Sequence, residues 1–149
     1  MSELALAQHP AMDSAVARRV AEWERVRPWV VEALERSPLN FQTIEYIEAA
    51  IEAGRVDFWA GKGCVIITRL DSCPAARIYT VCYVGGDIAE AIEGEDDLLR
   101  MAALLGCDKL LVEATPEYVE ALQARGFKPA WVSLFKDVQS ANSAPMGTA

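Results

Sequence analysis

The spacing of apolar residues changes at Gly54, and this change limits the folds open to the chain. Before Gly54, apolar residues recur every three or four positions, which is typical of amphipathic helices. After Gly54, short apolar runs alternate with turn residues, which predicts strands. Further along, strands and helical segments follow one another. The pattern therefore predicts a single α/β domain with a mixed, mostly antiparallel sheet flanked by helices.

Two helical regions are predicted before the change in period. The first is capped by Asp13 or Ser14 and contains Pro28, which either kinks the helix or opens a second one at its first turn. The second is capped by Asn40 and is expected to stop at Gly54.

The rest of the chain is predicted to hold five strands and two further helical regions. In chain order these are strands 56–59, 64–70 and 77–84, a helical region 87–105 with Gly94 as the point of division, strand 109–113, helix 116–124 and strand 130–136. Tight turns between the first three strands predict an antiparallel meander. The helical region before the fourth strand predicts a right-handed parallel crossover.

Charge and composition exclude several classes of protein. The 149 residues are 52% hydrophobic, enough for one domain with a core, and carry 14 basic against 22 acidic side chains. A net charge of −8 disfavours direct nucleic-acid binding and docking on anionic membranes. No apolar run approaches the roughly 18 residues that span a bilayer, so we expect an intracellular protein without membrane contact.

The cysteines and the single histidine argue against a metal site. Cys64, Cys73, Cys82 and Cys107 include no Cys-x-x-Cys pair, and His9 is the only histidine. A structural zinc site needs about four suitably spaced Cys or His ligands. The sequence therefore predicts no metal and buried or incidental thiols. Catalysis through Ser-His-Asp or Cys-His arrangements is disfavoured for the same reason.

The order of elements resembles the GNAT acetyltransferase superfamily over residues 28–136, although that family's first strand has no counterpart here. The sharpest local likeness is a late helix that ends in Gly126-Phe127, followed by a closing strand at 133–138. More narrowly, several short segments resemble small GNAT-like proteins of bacteriophages and prophages, often encoded among virion genes: 51–55, 58–59, 63–68, 85–87 and 105–108.

The resemblance implies acetyl-CoA as the cofactor and places its pyrophosphate at the end of the third strand. Family members usually carry Arg/Gln-x-x-Gly-x-Gly/Ala there, whose backbone N–H groups bind phosphate. The corresponding residues here are Val84, Gly85, Gly86 and Asp87, and no basic residue follows until Arg100. Two interpretations remain open: a shortened phosphate-binding loop, or a tight turn in which Asp87 caps the next helix.

The resemblance also suggests two catalytic candidates. Family enzymes often protonate the leaving thiolate with a tyrosine four residues before Gly-Phe, but that position is Leu122, which cannot donate a proton. Tyr118 lies one turn earlier on the same face and is the candidate acid. Glu113, at the end of the fourth strand, is the candidate general base. Each has a structural alternative, a core tyrosine and a surface acid respectively.

Three functions follow as hypotheses. The first is a GNAT-fold bacteriophage protein, virion-associated or used in assembly, with a degenerate acetyl-CoA site and protein partners from the phage or the host. The second is an acetyl-CoA-dependent N-acetyltransferase acting on a small amine or a host protein. The third is an acidic regulator that mimics nucleic acid. We expect a helical extension at 1–27, a GNAT-like domain at 28–138 and a tail at 139–149, located in the host cytoplasm or in the virion.

Overall fold

The computed structural model describes residues 10–139. The helices and strands follow one another as α1 (Pro10–Arg36), α2 (Ile44–Glu52), β1 (Asp57–Ala60), β2 (Cys64–Ser72), β3 (Arg77–Gly86), α3 (Ile88–Glu93), α4 (Glu95–Leu104), β4 (Lys109–Val112), a 3-10 turn (Pro116–Tyr118) and α5 (Val119–Ala124). The predictions for residues 1–9 and 140–149 lie outside the described residues. Within the described part, no helix is long and apolar enough to cross a membrane.

Helix α1 is continuous through Pro28, so of the two alternatives for this residue the start of a second helix is wrong. Val26 and Val30, on either side of the proline, are fully or almost fully buried. Their packing outweighs the hydrogen bond that proline cannot make. The predicted boundary between the helical extension (1–27) and the GNAT-like domain (28–138) therefore lies inside one continuous helix. It stays a prediction.

The helix starts differ from those predicted. α1 begins at Pro10, so Asp13 and Ser14 lie inside the helix and not at its N-cap position. Proline suits the first turn of a helix because its missing N–H has no partner there. α2 is capped by Thr43, whose hydroxyl accepts from the backbone N–H of Tyr46, and not by Asn40.

The predicted end of α2 is confirmed. The helix stops at Glu52, and Gly54 follows it with a φ of +75°, a conformation that glycine adopts without steric cost. The change in apolar period at this residue therefore coincides with a real change from helix to strand.

The sheet confirms the predicted meander. Its order is β1-β2-β3-β4, with antiparallel pairing in the first two pairs and parallel pairing between β3 and β4. The β2–β3 register shifts once: Thr68 faces Val81 but Ile67 faces Tyr83. Cys82 is therefore the extra residue of a β-bulge, which bends β3 shortly before its end.

The core lies on both faces of the sheet. One layer packs beneath α1 and α2, and its buried members are Val26, Val30, Leu34, Ile47, Phe58, Val65 and Ile67. The other packs beneath α3 and α4, and its buried members are Cys64, Ile66, Tyr79, Val81, Ala91, Leu98 and Ala102. Successive β2 side chains alternate between the layers, so the strand is apolar without interruption from Cys64 to Ile67.

The second half of the chain departs from prediction at one important point. Gly94 separates α3 from α4 as expected, while the helix predicted at 116–124 begins as a 3-10 turn. The strand predicted at 130–136 is wrong: these residues belong to no strand, and the sheet ends at β4. An apolar segment supplies strand propensity, but a strand also needs backbone pairing, which these residues do not make in the described structure.

Candidate functional site

The glycine pair is the last part of β3 and not a loop beyond it. Gly85 pairs with Val65 and Gly86 with Cys64. A Cβ added to Gly85 would overlap the carbonyl oxygen of Trp29 and lie 2.7 Å from its carbonyl carbon, a distance that real Cβ atoms do not reach. Gly85 therefore lets α1 approach the sheet closely, which is a packing reason for glycine at this position.

Position 86 requires a glycine because of its backbone conformation. Its φ is +78°, and an added Cβ would overlap the carbonyl oxygen of Gly63 and lie 3.0 Å from the Cα of Cys64. The next residue, Asp87, donates its backbone N–H to the carbonyl of Gly63 at 2.8 Å. The end of β3 is thus packed against the turn that joins β1 to β2.

Asp87 caps the helix that follows. Its Oδ1 accepts from the backbone N–H of Glu90 at 3.2 Å, as one of the two sequence interpretations expects. A carboxylate at a helix start satisfies an N–H group that would otherwise face an anion or water. Val84, the remaining cofactor candidate, lies one residue before the glycines and packs beside the second core layer.

Glu90 is a residue that sequence reasoning missed. Its two carboxylate oxygens accept from the backbone N–H groups of Lys62 at 3.0 Å and Gly63 at 2.7 Å. It stands three residues after Asp87, the position of the acidic member of a capping box, and that spacing was the available signal. Its charge also acts on Cys64, where burial first and Glu90 second raise the thiol pKa to about 11.

A cleft of about 200 Å³ opens where β3 and β4 stop pairing. The last paired residues are Val81 and Val112, and Glu113 donates its backbone N–H to the carbonyl of Val81 at 3.0 Å. The cleft lies on the α2 side of the sheet, and its walls include Arg69 and the bulge residue Cys82. The bulge therefore helps to shape a cavity that one of the predicted catalytic residues, Glu113, lines.

The guanidinium of Arg69, in the wall of this cleft, binds two carboxylates. It donates to Asp71 Oδ1 at 2.8 Å and Oδ2 at 3.1 Å, and to Glu113 Oε1 at 3.3 Å. The hydrogen bond to Asp71 raises the pKa of the guanidinium above its already high ordinary value, so the guanidinium stays charged. The same contact, with a second from the Thr80 hydroxyl, holds the pKa of the Asp71 carboxyl below its usual value.

The cleft also contains two neutral groups. Burial raises the pKa of the Cys82 thiol to about 11, although Arg69 opposes the shift. Burial likewise raises the pKa of Tyr83 above its ordinary value. Tyr83 is thus a protonated hydroxyl within the cleft at neutral pH. Sequence analysis could not select it, because the bulge that places it depends on the register of two strands.

The two catalytic candidates are not brought together in this cleft. Glu113 lines it and has a side chain 52% exposed, so one carboxylate edge is open to a ligand. Tyr118 is half-buried in the 3-10 turn and is not among the lining residues. The structure therefore groups Glu113 with Arg69 and Tyr83.

No protein-family model and no curated protein matches the chain. Several solved structures do. A ribosomal-protein-alanine N-acetyltransferase from Brucella melitensis aligns with a TM-score of 0.56 at 18% identity, covering 82% of this chain and 94% of that one. An acetyltransferase from Trypanosoma brucei aligns with a TM-score of 0.52 at 11% identity, covering 74% and 92%. Glucosamine-6-phosphate N-acetyltransferase from Arabidopsis thaliana aligns at 0.50 and 13% identity, covering 76% and 91%.

These likenesses agree with the element order expected from the sequence. The antiparallel meander, the helices after its last strand and the parallel return strand are present in the structure. Identities of 11–18% establish architecture and leave activity open. The chain therefore has the fold of the GNAT acetyltransferases.

Proposed function

We propose that this protein acts through contacts with other proteins and keeps the GNAT fold with a degenerate coenzyme site. The observation that carries the proposal is a pair of carboxylates, Asp87 and Glu90, bonded to the chain's own amides beside the end of β3, where the family resemblance places the pyrophosphate. Asp87 takes the N–H of Glu90, and Glu90 takes those of Lys62 and Gly63. Two negative charges at this point repel a pyrophosphate and leave these donors without free bonding capacity.

Exposed apolar surface supports a role in protein binding. Residues 14–22 of α1 are all exposed, and Val16 (60%) and Val20 (54%) lie four residues apart on one face. Apolar residues presented side by side on a helix are typical of a docking face. The resemblance to phage proteins makes a phage structural protein or a host protein the proposed partner, and a virion-associated or assembly role the specific form.

A thermal-shift titration with acetyl-CoA tests the degenerate site, with desulfo-CoA as the control. We expect no saturating shift up to millimolar coenzyme. A ligand present at 100 times its Kd stabilises the folded state by about 2.7 kcal/mol. In a domain of this size such a gain raises Tm by several degrees. A saturating rise of that size would overturn the proposal.

A matched pair of variants shows whether the two carboxylates close the site. Asp87→Asn combined with Glu90→Gln removes both charges with little change in volume. Asp96→Asn combined with Glu93→Gln removes two exposed charges from the neighbouring helices and is the control. Coenzyme binding gained by the first variant alone would identify the carboxylates as the cause of the missing affinity.

The phage-associated form has its own test. Mass spectrometry of particles purified from the strain that encodes the chain should detect it at a constant ratio to the structural proteins. Absence from the particles would restrict the protein to contacts inside the cell, with assembly factors or host proteins as partners.

The second candidate is an acetyl-CoA-dependent N-acetyltransferase, and the cleft at β3 and β4 favours it. A carboxylate and a neutral tyrosine hydroxyl, Glu113 and Tyr83, line one cavity and could hold and deprotonate an amine. Acetyl transfer to small amines or host proteins, lost in Glu113→Gln, would establish this function. Such activity would require the coenzyme binding that the first proposal excludes, so the two are separable.

A further inference from the structure

A second cleft lies between α1 and the turn that joins β1 to β2, with a volume of about 450 Å³. It shares no lining residue with the cleft at β3 and β4. β1 and β4 are opposite edges of the described sheet, so the two clefts are separate features. Half of the residues that line this α1–hairpin cleft are basic: Arg18, Arg19, Arg25 and Lys62.

The charge of the α1–hairpin cleft is opposite to that of the chain. The chain as a whole carries 14 basic against 22 acidic side chains. Among the described residues that line the cleft, Glu22 is the one acid, and Asp57 pairs with Arg19 beside it. Positive charge is therefore in excess here, in a chain of net charge −8. Such a patch attracts anionic groups and orients a charged partner as it approaches.

Arg25 ties α1 to the turn and so fixes the two sides of the cleft. Its guanidinium donates to the backbone carbonyls of Gly61 at 2.8 Å and Lys62 at 3.1 Å. The same group pairs with Glu22 at 2.6 Å, one turn earlier on the helix. Most of the bonding capacity of Arg25 is thus used within the protein, and its role is to hold the walls in place.

Arg19 is also held by the protein itself. It pairs with Asp57, and its guanidinium carbon lies 4.3 Å from the centre of the Phe58 ring. A guanidinium over an aromatic face is a favourable contact. Arg19 therefore covers the apolar side of the cleft and is partly neutralised by its carboxylate partner.

Arg18 and Lys62 supply the charge that remains available to a ligand. Both residues are exposed, one on α1 and the other in the turn. Neither side chain makes an ion pair with another residue of the described part of the chain. Two cations on the two sides of one cleft fit a ligand that presents more than one negative charge.

The turn offers no backbone donors to such a ligand. The N–H groups of Lys62 and Gly63 are both bonded to the Glu90 carboxylate, at 3.0 Å and 2.7 Å. Compact phosphate sites usually rely on backbone N–H groups that converge on the anion. Here only separated side-chain charges are left, which suits carboxylates spaced along an extended chain. A nucleic-acid backbone is disfavoured, because a protein of net charge −8 repels a long polyanion.

We propose, building on the protein-binding function above, that the α1–hairpin cleft is a docking site for a short acidic segment of the partner protein. Carboxylates of that segment pair with Arg18 and Lys62, while Arg19 and Arg25 keep the cleft in shape. The rest of the acidic surface repels the same segment, so the partner is bound at this face only.

Fluorescence anisotropy tests the proposal with the full-length protein and a fluorescein-labelled peptide of alternating Glu and Gly, about eight residues long. We expect saturable binding with a Kd below about 1 mM at low salt. The same peptide with Gln in place of Glu should not bind. Raising NaCl from about 50 mM to about 500 mM should weaken the binding, because salt screens exposed charges.

A matched pair of variants locates the binding. Arg18→Gln combined with Lys62→Gln should raise the Kd about fivefold, the size expected for two exposed ion pairs. Arg77→Gln combined with Lys109→Gln removes the same charge from exposed residues at the other end of the sheet and should leave the Kd unchanged. Circular dichroism checks that both variants are folded, as expected for exposed side chains.

Other occupants of the cleft would give different results. An oligothymidine of about eight nucleotides that binds more tightly than the Glu peptide would overturn the proposal in favour of nucleic acid. Light scattering would show a second copy as the occupant if the protein self-associates and the Arg18→Gln, Lys62→Gln variant does not. The absence of saturable peptide binding, or an equal loss in both variants, would also overturn it.

Acetyl-CoA separates this proposal from the proposed function. If the coenzyme stabilises the protein but does not displace the Glu peptide, the degenerate coenzyme site is wrong and the docking site stands. If neither the coenzyme nor the peptide binds, the docking site alone is wrong. Displacement of the peptide by acetyl-CoA would place the coenzyme in the cleft and overturn both.

Discussion

Gly85 lies against the main chain of Trp29, so that a Cβ at this position would be 2.7 Å from the Trp29 carbonyl carbon. The contact joins the middle of α1 to the end of β3. It explains a glycine that the sequence alone makes look like part of a phosphate-binding loop. The glycine is needed for packing whether or not a ligand binds nearby.

Gly85→Ala should lower the free energy of unfolding by about 1–3 kcal/mol, because α1 and β3 must move apart to accept the methyl group. Urea unfolding measures the change. Gly94→Ala is the control, since its φ is −77° and its Cβ would have a nearest contact of 3.2 Å. Equal stability of Gly85→Ala and wild type would show that the two elements are not in tight contact.

The buried Tyr79 hydroxyl should contribute to stability. It donates to Thr68 Oγ1 at 3.1 Å and accepts from Trp59 Nε1 at 2.9 Å. Tyr79→Phe leaves the buried Thr68 hydroxyl without this donor, and we expect a loss of about 1–3 kcal/mol in urea unfolding. Tyr46→Phe, at a tyrosine 50% exposed, should change stability much less. Equal effects of the two substitutions would contradict a structural role for the hydroxyl.

Asp71 should make stability depend on pH in the acidic range. Its pKa is lower in the folded protein because Arg69, and then Thr80, hydrogen-bond to the carboxylate. Since the folded pKa is depressed, the stabilisation is complete above the unfolded value of about 4 and is lost as pH falls through the folded pKa.

Asp71→Asn should therefore cost about 1 kcal/mol at pH 7 and progressively less below pH 4, measured by urea unfolding at each pH. Glu117→Gln removes an exposed acid with no ion pair in the described structure and serves as control. A difference between wild type and Asp71→Asn that is constant from pH 2 to pH 7 would exclude a contribution from ionised Asp71.

The cysteines should react in a definite order. The thiol pKa values of Cys64 and Cys82 are raised to about 11, whereas Cys73 is exposed. At pH 8 a thiol of pKa 11 is about 0.1% thiolate, the reactive form. Iodoacetamide should therefore label Cys73 first, as followed by peptide mass spectrometry. Labelling of Cys82 at the rate of Cys73 would show that the cleft is open to solvent at the bulge.

Most helices and strands were predictable because the local pattern of apolar and turn residues agrees with the tertiary structure. The meander, the division at Gly94 and the stop at Gly54 each follow from short-range signals. The second helix offered as one alternative at Pro28 does not form, because the local effect of proline is overcome by the buried Val26 and Val30. The strand expected at 130–136 failed for a related reason, since pairing depends on an edge distant in sequence.

The candidate site was predictable in part. Glu113 could be selected because it directly follows a strand, and Asp87 because it precedes a helix. Arg69 and Tyr83 were missed, since their place in the cleft depends on the bulge at Cys82 and on strand register. Glu90 was missed because its contacts cross to a turn 27 residues earlier in the sequence.

Helix α1 begins before the part of it that contacts the sheet. From Pro10 to Arg18 it rises about 12 Å, at 1.5 Å per residue, before Arg19 reaches Asp57 and Phe58 of β1. A molecule bound at the start of this helix is held at a fixed distance from the sheet because the helix is rigid. A flexible linker would lose conformational freedom on binding, and the helix does not. Whatever binds there is placed by the direction of the helix, and the same helix contacts Gly85 at Trp29.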